Sequence, residues 1–174
     1  MALGLIPLAV VALRRPKGSA WWYLAGAFAV SFVADMAGRF GYGFIGSQTY
    51  PVLQVGIIAL VIAPRPVAIG AIGLIALASA VSLGYRDAKG LDYLLHAVAW
   101  GSTALLAYRY LMPGALRTAL LVGFGGGLVA WTGFVIDPGW FYWFALQTTR
   151  ALAAGWFCVA AWQATVAPEP DALA

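Results

Sequence analysis

Seven apolar stretches follow one another along the chain, separated by short polar, glycine- or proline-containing segments. They cover about residues 1–13, 20–38, 50–63, 67–83, 91–111, 115–136 and 140–162. The hydrocarbon core of a bilayer, about 30 Å thick, is crossed by roughly 20 apolar residues in a helix. The pattern therefore predicts an all-α integral membrane protein, a compact bundle of seven transmembrane helices in one domain (residues 1–166). We expect residues 167–174 to be a short disordered cytoplasmic tail.

The first apolar stretch is shorter than the others. It is followed by the basic residues Arg14, Arg15 and Lys17, whereas a secretory signal carries its positive charge before the apolar run. We therefore expect a retained segment. It either crosses the membrane or lies in the interface, which would leave six full spans and one short interfacial helix.

Glycine and proline divide the remaining stretches. Residues 41–49 contain several glycines and are expected to form a loop, with Pro51 in the first turn of the third span, where its missing N–H is harmless. Pro64 and Pro66 predict a tight turn, because neither residue can continue a helix interior.

Composition supports a membrane protein. The 174 residues are 63% hydrophobic and only 9% charged, whereas soluble domains are about a quarter charged, and the mean hydropathy is +0.88. The lone Cys158 excludes an intrachain disulfide and a cysteine-based metal cluster. The Lys and Arg residues lie at the ends of apolar runs rather than on one face, which argues against nucleic-acid binding. We expect no cofactor and no metal.

The distribution of basic residues predicts the orientation. Loops on one side of the seven spans contain Arg14, Arg15, Lys17, Arg65, Arg109 and Arg117, and loops on the other side contain Arg39, Arg86 and Lys89. Cytoplasmic loops carry the excess of Lys and Arg. We therefore expect an integral protein of a bacterial inner or cell membrane, with its N-terminus outside and its C-terminus in the cytoplasm.

One charge lies deep inside an apolar stretch. Arg150 is about ten residues from either end of the seventh span, where an isolated guanidinium costs roughly 2.5–3.5 kcal/mol. It needs an acidic partner, backbone carbonyls or a wet cavity, and among the acids we favour Asp35 first and Asp92 second. We predict an outward-facing polar pocket centred on Arg150, whose candidate residues are Asp35, Arg39, Gln54, Asp92, His96, Gln147 and Arg150.

Each other candidate also has a purely structural interpretation. Asp35 and Arg39 are four residues apart and can pair on one helix face. Asp92 suits a helix start, and His96 follows it by one turn. Gln54 and Gln147 can join helices by hydrogen bonds.

Three known seven-helix architectures can be compared with this chain. The chain resembles microbial rhodopsins in topology, but it has no lysine after Lys89 to hold retinal. Seven-helix zinc hydrolases need several histidines, and this chain has one. Sugar transporters of the three-plus-one-plus-three type share the topology; an offset of 96 residues then aligns Gln54 with Arg150.

Three functions are compatible with these features. The first is a transporter- or channel-like protein for a small solute, ion or proton. The second is a non-catalytic structural or accessory subunit of a larger membrane complex, and the third is a membrane-embedded lipid hydrolase. The absence of a nucleophile motif favours a non-enzymatic protein with no catalytic residues. Its expected partners are the lipid bilayer, a small solute, and further copies or other membrane subunits.

Overall fold

The chain folds entirely into helices over the residues that the structure, a computed structural model, describes: 2–37, 40–41, 43–85, 89–137 and 139–166. A 3₁₀ turn, Ala2–Leu5, leads into the first of seven α-helices. The helices are α1 (Ile6–Arg14), α2 (Ala20–Ala37), α3 (Gly43–Ile62), α4 (Arg65–Gly84), α5 (Lys89–Tyr110), α6 (Ala115–Ile136) and α7 (Trp140–Val166). The predicted all-helical bundle of seven helices is confirmed for this part of the chain, whereas residues 167–174 lie outside it.

The prediction of a loop over residues 41–49 is wrong for most of its length. Helix α3 already begins at Gly43, so Pro51 lies inside the helix rather than in its first turn. Glycine and proline lower helix propensity locally, but packing against neighbouring helices overrides such preferences. Helix α3 lies against α2, α4 and α5 and gains its stability from those contacts.

Two helices in the described residues are long and apolar enough to cross a membrane, namely Arg65–Gly84 and Ala115–Ile136. Two shorter apolar segments, Ala20–Ala34 and Thr49–Ile62, accompany them. Helix α1 has nine residues and is therefore only about 14 Å long at 1.5 Å per residue. By length and apolar composition, α4 and α6 are therefore the candidate membrane-spanning helices among the described residues.

Six of the helices form a closed ring. Following the contacts around the described bundle, α1 packs on α2, α2 on α3, α3 on α5, α5 on α6, α6 on α7, and α7 again on α1. Helix α4 lies outside this ring, against α3 and α5. Buried side chains such as Leu24, Ile58, Phe124 and Phe157 fill the inside of the ring.

The described basic side chains other than Arg150 lie at one end of the bundle. Arg14 stacks on Trp162 near the end of α7, with 3.0 Å between Cζ and the ring centroid, and Arg117 lies 4.5 Å from the ring of Tyr108. Asp92 and Asp137 lie at the opposite end, at the start of α5 and the end of α6. Among the described side chains, the basic ones therefore lie at one end, which we call the basic end, and Asp92 and Asp137 lie at the other, which we call the acidic end although α5 begins there at Lys89.

Glycines in helix α6 let the neighbouring helices approach its backbone closely. A five-residue π-helical turn, Leu121–Gly125, interrupts it, and such turns shift the register of the side chains that follow. A Cβ added to Gly127 would overlap the ring of Trp100, and one added to Gly123 would lie 2.6 Å from the Cβ of Ala153. Glycine therefore lets α5 and α7 pack directly against the α6 backbone.

Candidate functional site

A cavity lies inside the helix ring. It offers about 40 Å³ to the centre of a water-sized sphere, whereas about 10–15 Å³ suffices for one water molecule. Every helix of the ring contributes to its wall, with α1 represented by the preceding 3₁₀ turn, whereas α4 supplies none of the lining residues that the structure describes. These residues are Gly4, Phe28, Ser31, Phe32, Gln54, Trp100, Gly123, Phe124, Gln147, Arg150, Ala153 and Ala154.

Arg150 is the charged residue among the described side chains that line the cavity. It lies near the middle of α7, and its Cζ atom is 5.4 Å from the ring centroid of Trp100 on α5. A guanidinium over an indole face is attracted by the ring quadrupole, by about 2 kcal/mol where water is excluded. Gln147, one turn earlier on α7, lines the same cavity. The ring of helices therefore encloses a cationic, partly aromatic site.

Gln54 ties α3 to α2 at the cavity wall. The side chain is 3% exposed, and its Nε2 atom donates to the carbonyl oxygen of Ala27 at 2.9 Å and to the Oγ atom of Ser31 at 3.1 Å. Both acceptors lie on α2, one helical turn apart. Because a buried carboxamide is costly without hydrogen bonds, these two bonds fix the rotamer that places Gln54 at the cavity.

Aromatic rings close the cavity toward the basic end of the bundle. Phe28 lies in its wall, and its ring centroid is 5.2 Å from that of Phe157 and 6.5 Å from that of Phe124. Phe157 is fully buried and meets the edge of Trp21 at 5.7 Å. These four rings, which we call the aromatic floor, form an apolar layer between the cavity and the basic end.

His96 lies one helical turn from Trp100 on α5, toward the acidic end. Its Nδ1 atom is 2.6 Å from the carbonyl oxygen of Asp92, so Nδ1 carries the hydrogen and donates. In the neutral ring, Nε2 then keeps its lone pair. The imidazole stacks on Trp131 at 4.2 Å and lies 5.2 Å from the ring of Tyr50. His96 is thus held in one orientation in a buried aromatic layer above the cavity.

The structure brings together three of the seven sequence candidates. Gln54, Gln147 and Arg150 share one cavity, whereas His96 lies outside its lining. Asp92, four residues before His96 on α5, lies outside the lining as well and provides the backbone carbonyl that orients the histidine. Arg39 lies outside the described residues, and so does the side chain of Asp35, whose backbone belongs to α2.

Sequence reasoning missed most of the wall. Ser31 could have been predicted, because it is a polar residue one turn before Asp35 on a helix that is otherwise apolar. Phe28 and Phe124 carry no comparable signal, since a phenylalanine in an apolar helix predicts burial of any kind. Trp100 has two roles: it packs against the α6 backbone, and it lines the cavity.

No set of metal ligands is evident among the residues that the structure describes. The described residues contain no group of three His, Cys, Asp or Glu side chains that could hold an ion. The site must therefore be interpreted from its own geometry and charge.

No known protein family, curated protein or solved structure matches this chain at a significant level.

Proposed function

We propose that the chain is an integral membrane protein. Large apolar side chains face outward on the helices, and Leu77, Leu105, Val129 and Phe144 are each at least 64% exposed. Water-soluble monomers rarely expose contiguous apolar surface on this scale. The charged groups at the two ends of the bundle fit the two edges of a hydrocarbon layer, and the basic end would face the cytoplasm. In this proposed orientation the N-terminus is outside, and the location that we propose is a bacterial inner or cell membrane.

The proposed function is passage or binding of a small solute, ion or proton through the central cavity, as in a transporter or channel. The observation that carries this proposal is the cavity on the inside of the helix ring, which Arg150, Gln54, Gln147 and Ser31 line. Ionisable groups inside membrane spans are costly and commonly mark substrate or ion pathways.

The cavity size limits what the site can hold. About 40 Å³ is room for a few water molecules, an ion or a solute of a few heavy atoms. Drug-sized ligands occupy pockets of about 300–1,000 Å³ and are excluded. The aromatic floor separates the polar wall from the basic end, and the buried layer of Tyr50, His96 and Trp131 separates it from the acidic end, so entry from outside would require that layer to open. Passage to the cytoplasm would require Phe28 and Phe157 to move apart.

Flux measurements on purified protein in proteoliposomes test this proposal. Vesicles loaded with a pH-sensitive, a chloride-sensitive or a potassium-sensitive dye would report proton, anion and cation flux separately, with valinomycin added only in the proton and anion measurements to set the driving voltage. We expect Arg150→Ala to abolish the flux of the wild-type protein. Arg117→Ala is the matched control, because Arg117 lies at the basic end and stacks on Tyr108 away from the cavity.

Two results would overturn the proposal. One is wild-type protein that raises none of the three fluxes above that of empty vesicles. The other is a flux that Arg150→Ala and Arg117→Ala reduce equally, because the cavity would then not be the path. Size-exclusion chromatography of each variant before reconstitution ensures that the compared proteins are folded.

A further inference from the structure

The helices follow one another around the ring in the order of the chain, with α4 left out. Helices α1, α2 and α3 occupy one half of the ring in sequence, and α5, α6 and α7 occupy the other half. The halves meet at two junctions of the same kind, α3 with α5 and α7 with α1. In each junction the third helix of one half contacts the first helix of the other. This is the contact order expected of two equivalent units related by a two-fold axis through the ring.

Because helix α4 connects the two halves, both halves of the ring run in the same direction. Consecutive helices in the bundle alternate in direction, so a unit of three helices followed by one more returns the chain to its starting side. Helix α4 does this from outside the ring, and it contributes no described residue to the cavity. The two units are therefore parallel, and their axis runs along the bundle.

A single offset of 96 residues relates the units. It moves Arg14, the last residue of α1, onto Tyr110, the last residue of α5. It moves the first residue of α2 to position 116 and that of α3 to position 139, each within one residue of where α6 and α7 begin. The same offset therefore holds across three helices and both of the loops that join them.

Burial follows the same offset. Several positions that are buried in the first unit are buried again 96 residues later, and several exposed positions remain exposed, although Tyr23 and Ala119, and Ala59 and Gly155, differ. The buried pairs include Val11 and Ala107, Leu24 and Leu120, Phe28 and Phe124, Tyr50 and Leu146, and Ile58 and Ala154; the exposed pairs include Val33 and Val129, and Leu60 and Trp156. Because one residue turns a helix face by about 100°, this agreement fixes the register as well as the order of the helices.

The cavity wall is also paired. Phe28 and Phe124, which both line the cavity, are equivalent under the offset and contact each other. Gln54 and Arg150 form a second equivalent pair in the wall. A contact between equivalent residues places them next to the two-fold axis. The cavity therefore lies on or beside that axis.

We propose that the ring consists of two parallel copies of a three-helix unit joined by α4, and that Gln54 is the counterpart of Arg150 across the axis of the cavity. The units differ in the chemistry that they supply at this point, a carboxamide from α3 and a guanidinium from α7. Position 54 is then a second determinant of what the cavity accepts. An arginine placed there faces the same space from the opposite side.

Distance measurements test the repeat without any reference to activity. Under two-fold symmetry the distance from position 33 to 156 equals that from 129 to 60. All four side chains are exposed, so nitroxide labels there disturb little, and Cys158→Ser provides the cysteine-free background. Double electron–electron resonance should give equal mean distances for the two pairs, within the width of the label's own rotamer distribution.

A shifted pair provides the control. A label at Leu152, one turn from position 156 and also exposed, should give a distance to position 33 that differs from that of the 129–60 pair. Unequal means for the two equivalent pairs would overturn the repeat. Equality would support it even if the proteoliposomes showed no flux.

A charge swap tests the equivalence of the two wall positions and rests on the proposed function. Arg150→Gln should remove flux, and adding Gln54→Arg should restore at least half of it. The control is Gln147→Arg in the Arg150→Gln background, because Gln147 also lines the cavity but has no counterpart there under the offset. Equal rescue by the two second-site arginines, or rescue by the control alone, would contradict the assignment of position 54.

Discussion

Gly127 offers the sharpest test of how α5 and α6 form the cavity wall. A methyl group at this position would overlap the six-membered ring of Trp100. That indole is 2% exposed, lies 5.2 Å from the ring of Phe124 and sits beneath the guanidinium of Arg150, so it has little room to move. We expect Gly127→Ala to destabilise the folded bundle and to displace Trp100 from the cavity wall.

The expected magnitude follows from two opposing terms. Replacing a helical glycine by alanine favours the helix by about 0.5–1 kcal/mol. Overfilling a packed interior costs about 1–3 kcal/mol. Gly125→Ala is the matched control, because no side chain or distant backbone atom lies within 4 Å of its added Cβ. Since helix propensity favours both variants alike, the difference between their free energies of unfolding isolates the contact, at about 1–3 kcal/mol.

Equilibrium unfolding in mixed micelles, titrated with dodecyl sulfate and followed by far-UV circular dichroism, measures this difference. A second comparison introduces Gly127→Ala into a Trp100→Leu background, where the clash is absent and the extra cost should disappear. If Gly127→Ala is as stable as Gly125→Ala in the wild-type background, Trp100 does not lie against α6 and the wall is assembled differently.

Two further predictions concern the cavity wall and its floor. Gln54→Leu should lower the free energy of unfolding by about 1–3 kcal/mol through the loss of two hydrogen bonds to α2, whereas the exposed Gln163→Leu should change it little in the same titration. A smaller cost for Gln54→Leu than for the control would mean that the bonds are not made. Phe157→Ala should cost about 3–5 kcal/mol and should raise passive proton leak in proteoliposomes, because it opens the aromatic floor. The exposed Phe144→Ala should do neither, and Phe157→Leu keeps the floor testable if the alanine variant fails to fold.

The sequence was sufficient to predict the number of helices, and three of its seven candidate residues line one cavity. A long apolar stretch satisfies its own backbone hydrogen bonds as a helix, which makes the helices readable from the sequence. The polar side chains of Gln54, Gln147 and Arg150 interrupt such stretches, and all three line the same cavity. The start of α3 was missed, because its glycines and Pro51 disfavour a helix locally while contacts with three neighbouring helices stabilise it.

The arrangement of helices around the ring depends on information that local patterns lack. Helix α4 is about as apolar as α2 and α3, yet it lies outside the ring. Its position depends on which surfaces fit against α3 and α5, including the small contact of Ala59, Ala68 and Leu106. Only the paired spacing of the two halves along the chain hinted at this arrangement.

The separation of the basic and acidic ends has an energetic consequence once the proposed membrane carries a voltage. Moving one elementary charge across a membrane changes its free energy by about 2.3 kcal/mol per 100 mV. Apart from Arg150, the proposed threading puts six basic and two acidic side chains on the cytoplasmic side and three basic and four acidic side chains on the other side. Inverting the bundle in a cell that is negative inside would therefore move a net five charges against the potential, which costs on the order of 12 kcal/mol per 100 mV. In the proposed orientation, the membrane potential would therefore hold the finished protein in place by a physical force separate from the insertion machinery.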